Sequence, residues 1–193
     1  MGMPAALRRR WTLIEVRALI DATPEPAPRF ELVDGELLVT PSPVTRHQRA
    51  VRALLVAIDA YLERTAFGEA LDSPFDVQLE PDTIVQPDVF AVPREEARRL
   101  DTEMPARSLI LVIEVISPSS ALADRGPKRE LYQRHVPDYW IVDLDAQLFE
   151  RWRPGDDRPE IVRERIEWNP AGASDVFTLD LPAYFARLVG ARP

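Results

Sequence analysis

Glu114 is the residue whose setting in this sequence most needs a chemical explanation. It stands inside the apolar run of residues 109–116, which is long enough for a buried strand. Burying an unpaired charge costs several kcal/mol unless the group is neutralised, paired or bound to a metal ion. Lys128 follows fourteen residues later and is the only lysine among the 24 basic residues of the chain. A partner is therefore expected opposite Glu114, and Lys128 is the first candidate.

Asp88 offers a second carboxylate, within what the pattern predicts to be a neighbouring strand. Two carboxylates on neighbouring strands can hold Mg²⁺, which usually takes one or two carboxylates together with water and substrate phosphate. The metal lowers the pKa of a bound water, while a nearby ammonium holds that water or helps to deprotonate it. Lysine suits this role because burial can shift its pKa downward, whereas a guanidinium stays charged. Asp88, Glu114 and Lys128 are therefore the predicted catalytic residues of a phosphodiester-hydrolysing site, with Asp88 and Glu114 as metal ligands.

The alternative for Lys128 is an ordinary surface ion pair. Asp124 precedes it by four residues, and such a pair on an exposed helix stabilises the helix by a few tenths of a kcal/mol. The whole pattern of acids and a single lysine favours the site, and Asp124 then becomes a further candidate for it.

Three other side chains are candidates for the same site. Glu36 follows a predicted hairpin turn and would give the metal an extra carboxylate, although such glutamates are usually solvated. His47 opens a predicted helix and would contact phosphate or water, although a lone histidine there is more often a cap or a core partner. Gln86 precedes a proline and would contact water or nucleic acid. Tyr132 is interpreted as packing against the sheet.

The first part of the chain contains local signals for three elements. Thr12 and Glu15 form a capping-box pattern at the start of a predicted helix over residues 12–22. Asp34-Gly35 favours a two-residue type I′ turn between two strands. Apolar residues at helical spacing then predict a long amphipathic helix from about His47 to Thr65.

The rest of the chain alternates strands and helices around Glu114. Because side chains alternate along a strand, Glu114 is expected on the same face as Val112 and Ile116. Pro87 argues for an edge or bulged position within its own strand. The predicted strands are 76–80, 83–92, 109–116, 138–143 (beside the Glu114 strand) and the hairpin 147–153 with 160–168. The predicted helices are 93–100, 121–135 and 182–189, and Pro127 within the second can delay its regular part until after Gly126. This order predicts an α/β or α+β fold with a mixed sheet.

Length and composition bound the class of protein. A chain of 193 residues, 46% hydrophobic, is expected to form one domain over residues 1–193, with its core at about 10–188 and residues 1–9 flexible. The absence of cysteine excludes disulfides and thiolate sites. The N-terminus lacks the apolar segment of a signal peptide, and no apolar run approaches the roughly 18 residues of a membrane span. A cytoplasmic protein with no membrane partner is expected.

The net charge of −8 argues against nucleic-acid binding by bulk attraction, which depends on Lys and Arg. The objection weakens if several acids gather to hold a divalent cation, because the ion then supplies local positive charge.

Several separated motifs in order resemble the Uma family of restriction endonucleases, within the PD-(D/E)xK nuclease superfamily. They are F-E-L-V-D-G-E-L, P-S-P with His47 after it, the Pro87-Asp88 pair, E-V-I-S-P-S-S, D-R-G-P-K and V-P-D-Y-W-I-V-D, and the resemblance covers about residues 10–188. It implies a restriction-endonuclease-like mixed sheet flanked by helices, with an N-terminal hairpin and a long helix. It also implies metal-dependent hydrolysis of DNA, with Mg²⁺ as the ion and Mn²⁺ as its substitute.

By that resemblance Asp88 matches the first metal-binding acid and Glu114 the second. The usual lysine of the superfamily would fall at Ile116, which is apolar here. Lys128 resembles a lysine that has moved to the following helix, with Asp124 one turn before it.

Two alternatives to a DNA endonuclease remain open from the sequence. One is a catalytically silent nuclease-like fold retained as a binding or assembly module, which the net charge and Ile116 favour. The other is a metal-dependent hydrolase of a small phosphorylated molecule. A homodimer is a further expectation, with the predicted strand 147–153 as an edge that could form the contact.

Overall fold

The computed structural model describes residues 9–24, 28–101 and 105–188. The expectation of flexibility for residues 1–9 falls almost wholly outside these ranges, as does the predicted last residue of the C-terminal helix. In chain order the elements are α1 (Leu13–Ala22), β1 (Arg29–Val33), β2 (Glu36–Thr40), α2 (Thr45–Thr65), β3 (Gly68–Asp72), β4 (Val89–Pro93), α3 (Arg94–Leu100), β5 (Leu111–Val115), α4 (Ala121–Asp124), α5 (Pro127–His135), β6 (Tyr139–Asp143), β7 (Leu148–Trp152), β8 (Glu160–Val162), β9 (Arg165–Trp168), β10 (Phe177–Asp180) and α6 (Leu181–Leu188).

A mixed six-stranded sheet forms the centre of the fold. Its strand order is β3-β4-β5-β6-β7-β8. β5 and β6 run parallel, with Val112 opposite Tyr139, and the other neighbours in the sheet run antiparallel. Parallel neighbours need a crossover connection, and α4 and α5 provide it. The predicted mixed sheet flanked by helices is confirmed.

Alternation along β5 directs its side chains into two different layers. Ile113 packs in one apolar cluster with Leu54 of α2, whereas Val112 packs in a second cluster with Leu131 of α5. Glu114 therefore points toward the α5 side of the sheet, as the alternation predicts. In the described part of the chain, no helix has the length and apolar character needed to cross a bilayer.

The N-terminal hairpin forms as its turn residues predict. Asp34 and Gly35 both have positive φ, 50° and 77°, which is the type I′ geometry. Thr12 and Glu15 complete the predicted capping box of α1. Leu32 of β1 packs in a cluster with residues of α1. Glu31, the alternate residue of the same strand, points the other way.

Two predicted strands are shorter than expected. Residues 76–80 contain only an isolated bridge, from Val77 to Val85 and Ala106. The predicted strand 83–92 is interrupted, and its regular part is β4. Asp88 therefore lies in a bend immediately before β4 rather than within a strand. Pro87 contributes to this interruption of the strand, because it has no N–H to donate to a neighbouring strand. The Pro87 carbonyl accepts a hydrogen bond from the Ser73 hydroxyl at 2.7 Å instead.

Two other predictions need correction. The predicted helix 121–135 is divided into α4 and α5 around Gly126. In the predicted second hairpin, β7 does pair with β8, but residues 165–168 form β9, which pairs with β10 instead. Because β6 and β8 flank β7 on both sides, residues 147–153 are not an edge strand. The prediction of an edge strand there is wrong, and the edges of the six-stranded sheet in the described residues are β3 and β8.

Ala66 ends α2 in the left-handed conformation, with φ 53° and ψ 30°. This conformation costs a non-glycine residue roughly 1–2 kcal/mol, so Ala66→Gly is expected to raise the free energy of unfolding by about 1 kcal/mol. Ala60→Gly, at an exposed interior position of the same helix, is expected to lower it by about 1 kcal/mol. Urea denaturation measures both, and a loss of stability in Ala66→Gly would contradict the left-handed helix end.

Candidate active site

Four carboxylates and one ammonium line a cavity of about 260 Å³ between the N-terminal hairpin, the start of α2 and the end of β5. All five groups are buried, and the most exposed of them, Asp88, is only 4% exposed. They come from four different parts of the fold, so the sheet and the hairpin must both form before the group assembles. The five residues are Glu31, Asp88, Glu114, Asp124 and Lys128.

Lys128 sits among three of the four carboxylates. Its Nζ lies 2.6 Å from Glu114 Oε1, 3.0 Å from Glu31 Oε1 and 3.4 Å from Asp124 Oδ1. Lys128 thus reaches the glutamate of the central strand, although the two residues stand on different elements. The ordinary surface pair with Asp124 does not describe this lysine, because both partners are buried.

The connection between α4 and α5 places Lys128 over the sheet. Gly126 separates the two helices, and a Cβ at this position would lie 2.7 Å from the Leu122 carbonyl oxygen. Only glycine fits such a close approach to backbone. Pro127 follows at the first position of α5, where a proline costs no intrahelical hydrogen bond. Lys128 is therefore the second residue of a helix whose start is determined by the sequence.

Asp88 lies at the entry of β4, beside Glu114 of β5. The Asp88 N–H donates to Glu114 Oε2 at 3.3 Å, and the Val115 N–H donates to Asp88 Oδ2 at 2.9 Å. Arg29 Nη2 lies 2.9 Å from Asp88 Oδ1. Burial raises the pKa of Asp88, but the hydrogen bond with His47 and the charge of Arg29 outweigh burial and lower that pKa to about 2. Asp88 is therefore ionised and available as an oxygen ligand.

Glu114 and Lys128 respond differently to burial. Burial raises the pKa of Glu114 well above its usual range, and the opposing charge of Lys128 does not outweigh it. Burial also disfavours the charged form of Lys128, but the charges of Glu114, Glu31 and Asp124 outweigh it and raise the pKa of Lys128. This direction is opposite to the downward shift considered from the sequence. Lys128 is accordingly an ammonium in this environment rather than a base.

Two of the further candidates lie in the cluster. Asp124 lines the cavity at the end of α4. His47, in the first turn of α2, places its Nε2 3.0 Å from Asp88 Oδ2. Its other ring nitrogen, Nδ1, is buried and has no hydrogen-bond partner within the described ranges.

The side chains of the two remaining candidates, Glu36 and Gln86, lie outside the carboxylate cluster. Glu36 is exposed at the start of β2 and does not line the cavity. The Gln86 side chain donates to Asp76 Oδ1 at 2.9 Å, away from the carboxylate cluster. Its backbone N–H does contribute, because it donates to Glu31 Oε1 at 2.8 Å.

Glu31, Arg29 and Tyr132 belong to the site, and sequence reasoning missed all three. Glu31 and Arg29 are alternate residues of β1 and line the cavity. The Tyr132 hydroxyl donates to Glu114 Oε1 at 3.1 Å, so this side chain does more than pack against the sheet. Glu31 carried a usable signal, since it is a carboxylate within the apolar strand Phe30-Glu-Leu-Val, the same pattern that drew attention to Glu114.

The donor set suits a hard divalent cation with an incomplete protein cage. Among residues 9–24, 28–101 and 105–188, no group of three or more His, Cys, Asp or Glu side chains is arranged so that it could hold a metal ion, so a bound ion would depend on two protein ligands at most. Mg²⁺ commonly takes one or two carboxylates and fills its other positions with water and substrate phosphate. The adjacent carboxylates of Asp88 and Glu114 fit that description, and the cavity beside them has room for water and phosphate.

The charges of the cluster also favour a divalent cation. When its four carboxylates are ionised they face two permanent cations, Lys128 and Arg29, which leaves an excess of two negative charges. Uncompensated charge in a buried site is costly. One divalent ion would balance that excess.

For the metal-dependent hydrolysis that the sequence predicts, Glu31→Gln is expected to lower the rate by about 10–100-fold, the usual cost of losing a group that orients a ligand or its neighbour. The reason is that Glu31 contacts the Lys128 ammonium, as Glu114 does. The matched control is Glu95→Gln, an exposed position on α3. Initial rates measure the effect, and equal rates for the two variants would exclude a role for Glu31.

Comparison with known proteins gives a family and a fold. Residues 15–181 match the Uma2 family, whose description is "Putative restriction endonuclease". A solved structure of "a putative nuclease belonging to DUF820 from Anabaena variabilis ATCC 29413" is similar, with 20% sequence identity and a TM-score of 0.73 over 90% of this chain and 98% of that one. At this identity the likeness concerns the fold alone. No curated protein matches the chain.

Proposed function

Since the chain belongs to the Uma2 family, described as "Putative restriction endonuclease", we propose that it is a Mg²⁺-dependent endonuclease that hydrolyses phosphodiester bonds of DNA. Asp88 and Glu114 are the proposed metal ligands, and Mn²⁺ is expected to substitute for Mg²⁺. Lys128 is the third proposed catalytic residue. The reaction would take place in the cavity between the hairpin and the end of β5.

The observation that carries the proposal is the position of Lys128 Nζ, 2.6 Å from Glu114 Oε1. An ammonium on a separate helix is held within a buried group of carboxylates, next to two acids that can share one ion. A purely structural role does not explain this buried ion pair well, because burying a charged pair usually gains little stability over an apolar pair of the same volume. Burying four carboxylates around one lysine is costly, and a catalytic site offers a reason for it.

Each residue has a distinct role in the proposed reaction. A bound Mg²⁺ would supply Lewis acidity and an activated water at neutral pH. Asp88 and Glu114 would provide oxygen ligands to the ion. Asp88 is ionised because His47 and Arg29 lower its pKa. Lys128, as a cation, would orient the attacking water and stabilise negative charge that develops on the phosphate oxygens. Glu31, Asp124 and Tyr132 would fix the positions of Lys128 and Glu114.

Cleavage assays with Mg²⁺ or Mn²⁺ test the proposal, using supercoiled plasmid and single-stranded DNA as substrates. We expect the wild-type protein to cleave at least one of them, EDTA to stop cleavage, and added Mg²⁺ to restore it. Cleavage that persists in EDTA would contradict metal dependence. Absence of cleavage with either ion on both substrates would count against the endonuclease and favour the silent binding module.

A further inference from the structure

We propose that an exposed face of the N-terminal half of α2, formed by Arg49 and Arg52, binds the phosphate backbone of the nucleic acid that enters the cavity. This inference rests on the proposed function, because it names the polymer contact that an endonuclease would need. It also addresses how a chain with a net charge of −8 can hold a polyanion. Arginines occur along the whole chain, but the segment that contains Arg49 and Arg52 has no acidic residue beside them in the sequence.

The segment from residue 37 to residue 58 contains three arginines and no Asp or Glu. Residues 40–44 and His47 of this segment line the catalytic cavity. One of the arginines, Arg46, already pairs with Asp145 at 2.7 Å. A nucleic-acid strand that approaches along this segment would therefore meet the hydroxyl groups of Thr40 and Ser42 and the arginines of α2 rather than carboxylates of the same segment.

Arg49 and Arg52 remain available for a ligand. Both side chains are exposed, and neither has an ion-pair or hydrogen-bond partner among the residues that the structure describes. They are three residues apart on α2 and so lie on the same side of the helix. Two unpaired guanidinium groups on one helix face are the kind of site that binds successive phosphates.

A second cavity lies next to the catalytic one and reaches α2 at Gln48. It has a volume of about 460 Å³ and shares Arg29 and residues 40–43 with the catalytic cavity. None of the described residues that line it is acidic. Gln48 of α2 also lines it, and Arg52 lies one helical turn further along the same side. The described lining of this second cavity thus carries no carboxylate from the catalytic cavity as far as Gln48, one helical turn before Arg52.

The distance along the helix favours a polymer over a small molecule. Arg52 follows His47 by five residues, which corresponds to roughly 7.5 Å along the helix axis. A phosphate bound by Arg52 is therefore a different phosphate from the one that would lie beside Asp88. A ligand with a single phosphate group cannot occupy both places, whereas a nucleic-acid backbone can.

The test compares two double variants that lose the same charge. Arg49→Ala with Arg52→Ala removes the proposed contacts. Arg98→Ala with Arg158→Ala removes two exposed arginines from α3 and from the β7–β8 loop, positions that do not line the cavities. The probes are a fluorescently labelled single-stranded oligodeoxynucleotide, longer than the roughly 16 nucleotides of one binding module, and its duplex. Anisotropy is recorded without metal over a range of salt concentrations.

We expect the Arg49/Arg52 variant to bind at least one probe roughly tenfold more weakly at low salt, with the slope of log K against log salt reduced by about two. The Arg98/Arg158 variant should match the wild type. Equal affinities in all three proteins, or equal losses in both variants, would overturn the inference. Hydrolysis of bis(p-nitrophenyl) phosphate by the wild type, measured in parallel, tests the proposed function separately: its absence would count against the nuclease and leave the binding result standing.

Discussion

Glu114→Gln is expected to lower the rate of metal-dependent DNA cleavage by about 10³-fold. The substitution removes one of the two proposed metal ligands while keeping the volume of the side chain. A metal ligand of this kind supports several kcal/mol of transition-state stabilisation, and about 4 kcal/mol corresponds to 10³-fold in rate. Single-turnover cleavage with saturating Mg²⁺ measures the loss.

The fold should survive this change. Glu114 already has a raised pKa because it is buried among other carboxylates, so a neutral amide should be tolerated there. Lys128 keeps Glu31 and Asp124 as partners. The thermal midpoint of Glu114→Gln is therefore expected to stay close to that of the wild type, and Glu95→Gln, exposed on α3, serves as the matched control for both measurements. Cleavage at the wild-type rate by Glu114→Gln would exclude Glu114 as a ligand.

Lys128→Met is expected to affect both stability and activity. Lys128 contacts three buried carboxylates, and removing one partner of a buried ion pair costs about 3–5 kcal/mol because the remaining charge is uncompensated. The free energy of unfolding should fall by about that amount in metal-free buffer. Cleavage should fall by about 10²–10³-fold, the usual effect of losing one group that stabilises developing charge.

Lys128→Arg separates the two effects. The guanidinium keeps the positive charge, so this variant should lose less stability than Lys128→Met. Its planar, larger group does not reproduce a compact ammonium, so activity should remain low. Urea denaturation and cleavage rates measured on the same samples test this. Full activity in Lys128→Arg would mean that the charge alone matters, and unchanged stability in Lys128→Met would contradict the buried ion cluster.

The sequence reveals Glu114 and Lys128 for a physical reason. A carboxylate in an apolar strand is costly and needs a partner, and a single lysine among arginines stands out without any structural information. The long helix, the type I′ hairpin and the alternation of β5 are likewise local consequences of residue spacing. These parts of the fold depend on neighbours in the chain, which a sequence displays directly.

Glu31 is a carboxylate in an apolar strand, as Glu114 is, but its role as a partner of Lys128 depends on contacts distant in sequence. It stands 97 residues before Lys128, its partner across the cavity, and local periodicity carries no information about that separation. The position of the Asp88 carboxylate also depends on distant residues, since Arg29 and His47 contact it. The role of β7 as an interior strand follows from its pairing with β6 as well as with β8. The turn signals predicted only the second of these pairings.

Binding of Mn²⁺ tests the central claim most directly, because it requires no knowledge of the substrate. Isothermal titration calorimetry on the wild-type protein is predicted to show saturable Mn²⁺ binding, and Asp88→Asn, compared with the exposed control Asp82→Asn, is predicted to abolish it or weaken it by at least about tenfold. A wild-type protein that binds no Mn²⁺, or an Asp88→Asn variant that binds it as tightly as the wild type, would contradict the proposal that Asp88 and Glu114 hold a catalytic metal ion.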